Sequence, residues 1–174
     1  GIKRTFLAGD GRSFNTLLIV PNTDDDVLRS LTTDEERREY FNQIVTAANP
    51  GLPSFERVVN FSIVDRDFSL EKGELTPKGS FKRKAIEKNF SKVINELYQS
   101  NTQVLEVGPY KVIIPRWFVR DLGILDDAIT SEGELLINRE TSAELVIRPG
   151  QSGRVQIGDL EYLLNGTTID LGLL

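Results

Sequence analysis

Cysteine, histidine and methionine are absent from all 174 residues, and tryptophan occurs once. The lack of cysteine excludes disulfides and thiolate zinc sites. The lack of histidine excludes imidazole metal ligands, a histidine general base and a Ser-His-Asp triad, so self-contained hydrolase chemistry is not expected and no metal site is expected. The missing methionine leads us to expect a piece of a longer polypeptide. No stretch reads as a transmembrane span or a secretory leader, which leads us to expect a cytoplasmic location or one peripheral to the inner membrane face.

A broad excess of positive charge is also missing. Residues 1–100 hold 15 Lys and Arg against 15 Asp and Glu, while residues 101–174 hold 6 against 11 and so carry the whole net charge of −5. Backbone phosphate binding needs cations spread over a face, so no nucleic-acid partner is expected.

What is present divides into two parts. Residues 1–100 read as α+β, a small sheet with packed helices. Thr5 to Ala8 and Phe14 to Val20 are β-prone runs around the turn Gly9-Asp10-Gly11. No G-x-x-x-x-G-K-[ST] pattern accompanies that turn, so it is not a nucleotide loop. Asp24-Asp25-Asp26 lacks EF-hand spacing and reads as an acidic lead-in to the next helix. Thr33 and Glu36 form a capping box, followed by Tyr40, Phe41, Ile44, Val45 and Ala48 at helical spacing. Asn49-Pro50-Gly51 ends that helix. Ser54 is expected to cap a short helix bearing Phe55, Val58 and Val59, with a third strand at Phe61 to Val64. Asp65 and Asp67 around Arg66 read as a surface turn. A helix is expected from about Phe81 to Tyr98, burying Ala85, Ile86, Phe90, Val93, Ile94 and Leu97.

Residues 101–174 read as a β-rich module of unknown role. Apolar runs recur at Val104 to Val107, Tyr110 to Ile114, Glu134 to Ile137, Ala143 to Ile147, Arg154 to Ile157, Leu160 to Leu164 and Thr168 to Leu171, with Gly, Pro, Ser and Asn between them. Pro115 to Gly123 interrupts the series as a short helix whose Trp117 and Phe118 are expected to plug the module or pack against the first part.

One segment has a charge pattern that stability alone would not choose. Lys82, Arg83 and Lys84 crowd the expected start of a helix, where cations oppose the helix dipole at a cost of roughly a few tenths of a kcal/mol each. An anion, phosphate or carboxylate, offsets that cost.

The string Gly73-Glu74-Leu75-Thr76-Pro77, then Lys82-Arg83-Lys84 and an amphipathic helix, resembles the C-terminal domain of AMP-forming acyl-CoA synthetases, especially long-chain fatty acid CoA ligases. Phe6 to Pro21 looks like that family's glycine-turned hairpin, and Asn49 to Phe61 like its Asn, short gap, Glu-Arg helix. The resemblance spans roughly residues 1–99. It implies that residues 1–100 are a mobile lid serving a missing N-terminal ATP- and acyl-binding domain. The substrates it implies are a fatty acid, ATP with Mg and coenzyme A, none held tightly by the fragment, which is expected to be inactive alone.

By register with the family's Thr-Pro-x(4)-Lys pattern, Lys82 corresponds to the adenylation lysine. Such a cation stabilises charge developing in phosphoryl chemistry. Lys78 stands where long-chain members carry a second Thr, and Gly79-Ser80-Phe81 replaces a more aliphatic and basic run. Lys78 and Lys84 therefore remain rivals for the role, and Lys78, Arg83 and Lys84 are candidate anion contacts. Two other functions remain open, a non-catalytic binding or regulatory module and an acyl-AMP ligase that loads a carrier protein.

Overall fold

The computed structural model describes residues 1–174. Contacts divide the chain into two compact units, Gly1–Ser100 and Asn101–Leu174.

The first unit is α+β. Strands β1 (Ile2–Ala8) and β2 (Asn15–Pro21) form the expected hairpin, and β3 (Val58–Ile63) adds to β2 in parallel, giving the order β1-β2-β3. β2 is central, and Thr16, Leu18, Ile19 and Val20 are buried on it. Because side chains alternate along a strand, Leu18 and Val20 point to one face and Ile19 to the other. The Leu18 face carries the core: Phe6, Ala8, Leu18 and Val20 meet Val64, Phe68, Leu75, Ile86, Phe90 and Ile94.

Helix α1 (Asp26–Ser30) is capped by Asp25, whose carboxylate accepts from the Leu28 amide. Thr33 and Glu36 form the capping box of α2 (Asp34–Ala48), each accepting a backbone hydrogen bond from the other's residue. Phe61, which pairs with Leu17, shares the Ile19 face of the sheet. There Arg38 of α2 stacks over the Phe61 ring at 4.6 Å. Helices on both faces thus hold a three-stranded sheet.

Two expectations for this unit are corrected. Ser54 caps no helix: Ser54–Glu56 is a single 3-10 turn without a side-chain cap, and Val58 and Val59 lie in β3. Their β-branched side chains suit a strand paired with β2, and the buried Asn49 side chain fixes the strand's start by bonding both the N–H and the C=O of Val58. The helix expected over Phe81 to Tyr98 is two, α3 (Arg83–Asn89) and α4 (Ser91–Leu97), separated by Phe90 at φ −103° and ψ 16°. The apolar stripe continues through the break because Phe90 and Ile94 are both buried.

In the second unit, β4 (Thr102–Val107) and β5 (Tyr110–Pro115) form a hairpin, and β11 (Thr168–Asp170) joins β5 in parallel. Strands β6 (Ile129–Glu132), β7 (Leu135–Asn138), β8 (Ala143–Pro149), β9 (Arg154–Ile157) and β10 (Leu160–Leu163) form an antiparallel meander. β6 was not expected, because in Ile129-Thr130-Ser131-Glu132 only the first residue is apolar and no alternation betrays a strand. Helix α5 (Arg116–Leu122) ends on Gly123 at φ 74°. Trp117 does not plug the module: it is 43% exposed, and Val119 is the buried residue of α5.

Candidate functional site

The four candidate cations lie on or beside one small hairpin. Leu75 and Phe81 bridge antiparallel, the Thr76 amide donates to Ser80 O at 2.8 Å, and the Gly79 amide donates to Thr76 O at 2.8 Å. Pro77 and Lys78 therefore form the tip. Pro77 is pre-set for such a turn, and Gly79 supplies the left-handed backbone at φ 82° that closes it. Thr76 Oγ1 also accepts the Ser80 amide at 3.0 Å.

At the foot of the hairpin the Lys82 amide donates to Glu74 O at 2.8 Å. Lys82 is also the residue preceding α3, and its carbonyl accepts the Ala85 and Ile86 amides. Its backbone is thus fixed from both sides, by the hairpin and by the first turn of a helix whose Ile86 is fully buried. Its side chain is exposed and makes no hydrogen bond or ion pair, and the same holds for Lys78 and Lys84. Arg83 differs. Its guanidinium donates to Leu7 O at 2.8 Å, pairs with Asp10 at 3.5 Å and Glu87 at 3.8 Å, and lies over the Phe6 ring at 4.8 Å. Arg83 ties α3 to the β1–β2 hairpin. Three cations are left uncommitted, and only Lys82 sits at the junction of hairpin and helix.

Beneath the hairpin lies a buried carboxylate. The Glu74 side chain has no exposed surface and receives two hydrogen bonds from Arg66, Nη1 to Oε2 at 2.8 Å and Nη2 to Oε1 at 2.6 Å. Asn89 Nδ2 donates to it at 2.9 Å and the Ser69 amide at 2.9 Å. The Arg66 bonds, with those from Asn89 and Ser69, hold Glu74 ionised against the opposing effect of burial, down to about 2. The hydrogen bonds that Arg66 donates to Glu74 in turn raise the pKa of its guanidinium, which stacks over the Phe90 ring at 4.4 Å. Arg66 is therefore not part of a bare surface turn. Of its acidic neighbours, Asp67 pairs with Lys3 and Arg4, each at 3.1 Å. Sequence reasoning missed the Arg66–Glu74 pair, since the two residues meet across an irregular loop that leaves no periodic trace.

No group of three or more acidic side chains gathers as a metal site, and no helix is long and apolar enough to cross a membrane.

This architecture, a small helix-covered sheet with a lysine-bearing hairpin leading into a helix, coincides with a family match. The model of the AMP-binding enzyme C-terminal domain matches residues 1–102, and the chain belongs to that family. No curated protein matches the chain. Among solved structures, the A-PCP didomain of carboxylic acid reductase from Segniliparus rugosus, in complex with AMP, is similar at 22% identity and a TM-score of 0.48, covering 56% of this chain and 14% of that one. The adenylation domain of a carboxylate reductase from Mycobacterium chelonae is similar at 17% identity and a TM-score of 0.46, covering 57% of this chain and 16% of that one. The chain thus spans under a sixth of either protein.

Proposed function

We propose that residues 1–100 are the mobile lid of an AMP-forming fatty acid CoA ligase, and that Lys82 is its adenylation lysine. The observation that carries this reading is the position of Lys82: an exposed, unpartnered cation on a backbone fixed by the hairpin and by α3. With the backbone set in advance, meeting an anion costs only the freedom of the lysine side chain itself.

In the first half-reaction a carboxylate oxygen of the acid attacks the α-phosphorus of ATP. The new bond joins acyl oxygen to phosphorus, and the bond from the α-phosphorus to the bridging oxygen breaks as pyrophosphate leaves. Lys82 bridges the carboxylate and the phosphoryl oxygens, where negative charge is concentrated. In the second half-reaction the coenzyme A sulfur attacks the acyl carbon, the carbon–oxygen bond to AMP breaks, and the thiol proton is released. Lys82 is not needed there, and the lid turns another face to the missing domain. The residues here do not fit Mg, for want of clustered carboxylates. The metal would come with the nucleotide and the N-terminal domain. The proposed compartment is the cytoplasm or the inner membrane face.

The test uses the full-length enzyme. Fatty-acid-dependent exchange of pyrophosphate into ATP is measured beside thioester formation from supplied acyl adenylate and coenzyme A. Lys82→Ala is expected to reduce the exchange to a small residual rate and to spare the second reaction. Wild-type protein that exchanges with no carboxylic acid would replace this reading with a binding module. Adenylation without transfer to coenzyme A would replace it with loading of a carrier protein.

A further inference from the structure

We propose that Glu74 is the positioning residue for Lys82, holding the hairpin at the height and angle from which the lysine reaches the reacting carboxylate and phosphate. This rests on the reading of Lys82 given above.

Glu74 is tied at both its backbone and its side chain. Its carbonyl accepts the Lys82 amide at 2.8 Å, and its own amide donates to Ser69 O at 2.9 Å. Its carboxylate is gripped from three directions: Arg66 on the loop after β3, the Ser69 amide on the following turn, and Asn89 in the last turn of α3. Asn89 belongs to the helix that Lys82 precedes, so Glu74 links the two ends of that helix. Its carbonyl holds the residue before the first turn and its carboxylate holds the last. Leu75 beside it is buried in the core with Phe68, Ile86 and Phe90, which fixes the same strand from the apolar side.

A buried carboxylate is a costly way to fasten a loop, since its ionised form is stable there only with its hydrogen bonds complete. Three donor groups supply them, and the fastening is directional in a way that apolar packing is not. A shift of about 1 Å in a positioned catalytic group costs on the order of a hundredfold in rate. Glu74 never meets substrate in this scheme and acts only through where it puts Lys82.

The experiment is a double-mutant cycle in the full-length enzyme on Glu74→Gln and Lys82→Ala, with both half-reactions measured. Glu74→Gln is expected to lower pyrophosphate exchange about tenfold or more and to leave thioester formation from supplied adenylate within about twofold. In the Lys82→Ala background, Glu74→Gln is expected to change the residual exchange by less than about twofold, because its effect passes through a side chain already removed. A merely structural role would lower both half-reactions and persist in that background, and either result overturns the proposal. A folded Glu74→Gln enzyme with normal exchange overturns it too, while leaving the Lys82 assignment standing if Lys82→Ala is inactive. Normal exchange by Lys82→Ala overturns both. If Glu74→Gln does not fold, Asn89→Ala, which removes one donor, is expected to show the same selective loss at smaller size, and equal loss in both half-reactions would contradict it.

Discussion

Arg66 and Glu74 form a two-point ion pair at 2.8 and 2.6 Å, with the carboxylate fully buried and the guanidinium stacked on Phe90. The pair joins the loop after β3 to the hairpin that carries Lys78 and Lys82, and so couples the fold's stability to the geometry of the candidate site.

The pair sets a pH dependence. Glu74 titrates near 2 in the folded chain, against 4.5 for an unperturbed glutamate. A depressed folded pKa contributes stability that is full above the unfolded pKa and is lost as pH falls from about 4.5 through 2. The loss should reach on the order of 3 kcal/mol. Denaturant unfolding of the 174-residue chain between pH 6 and pH 2, followed by hydrogen exchange at the Lys82 amide, is expected to show it. Glu74→Gln is expected to be less stable at pH 6 and to lose less on acidification. An unchanged slope in that variant would remove Glu74 as the cause.

Neighbouring cations should separate by role. Arg83→Ala removes the bond to Leu7 O and the contact with the Phe6 ring, and is expected to cost about 1 kcal/mol of stability. Lys82→Ala breaks no contact and is expected to stay within about 0.5 kcal/mol of wild type. Thermal melts of the two variants side by side check this, and the reverse order would contradict it.

Asn49 bonds both backbone groups of Val58, at 2.7 and 2.9 Å, while itself buried. Asn49→Ala leaves a buried N–H and a buried C=O without partners and is expected to cost about 2–4 kcal/mol. Asn49→Asp keeps the acceptor but sets a carboxylate against the Val58 carbonyl, and should be destabilised as well. Chemical denaturation gives both values, and near-neutral results would mean that water reaches this site.

Gly79 closes the hairpin at φ 82°, and a Cβ there would meet nothing within 4 Å. Gly79→Ala therefore introduces backbone strain without a clash, expected to cost about 1 kcal/mol. Gly79→Asn should cost less, since asparagine tolerates the left-handed region better. Faster hydrogen exchange at the Ser80 and Lys82 amides in Gly79→Ala would be the local sign. Equal losses in both variants would point away from backbone strain.

Local rules made much of the fold legible. The capping box at Thr33 and Glu36, the glycine turn between β1 and β2, and the stripe from Ile86 through Ile94 each follow from spacings of a few residues. The α+β class followed from them. The reading failed where tertiary pairing decided the outcome. Val58 and Val59 fit a short helix by spacing, but parallel pairing with β2 drew them into a strand. Ile129-Thr130-Ser131-Glu132 became a strand because β7 lies beside it, not because of its own pattern. At the site, the cation cluster and its helix were legible in the order of residues. The commitment of Arg83 to Leu7 and Asp10, and the Arg66–Glu74 support, were not, since both join positions that only the folded chain brings together.

The most direct measurement is acid-dependent pyrophosphate exchange by the full-length enzyme with Lys78→Ala, Lys82→Ala and Lys84→Ala compared in parallel. Loss in Lys82→Ala alone is the expected result, with the other two near wild type. Normal exchange in Lys82→Ala, or collapse in Lys78→Ala or Lys84→Ala instead, would contradict the assignment of the adenylation lysine.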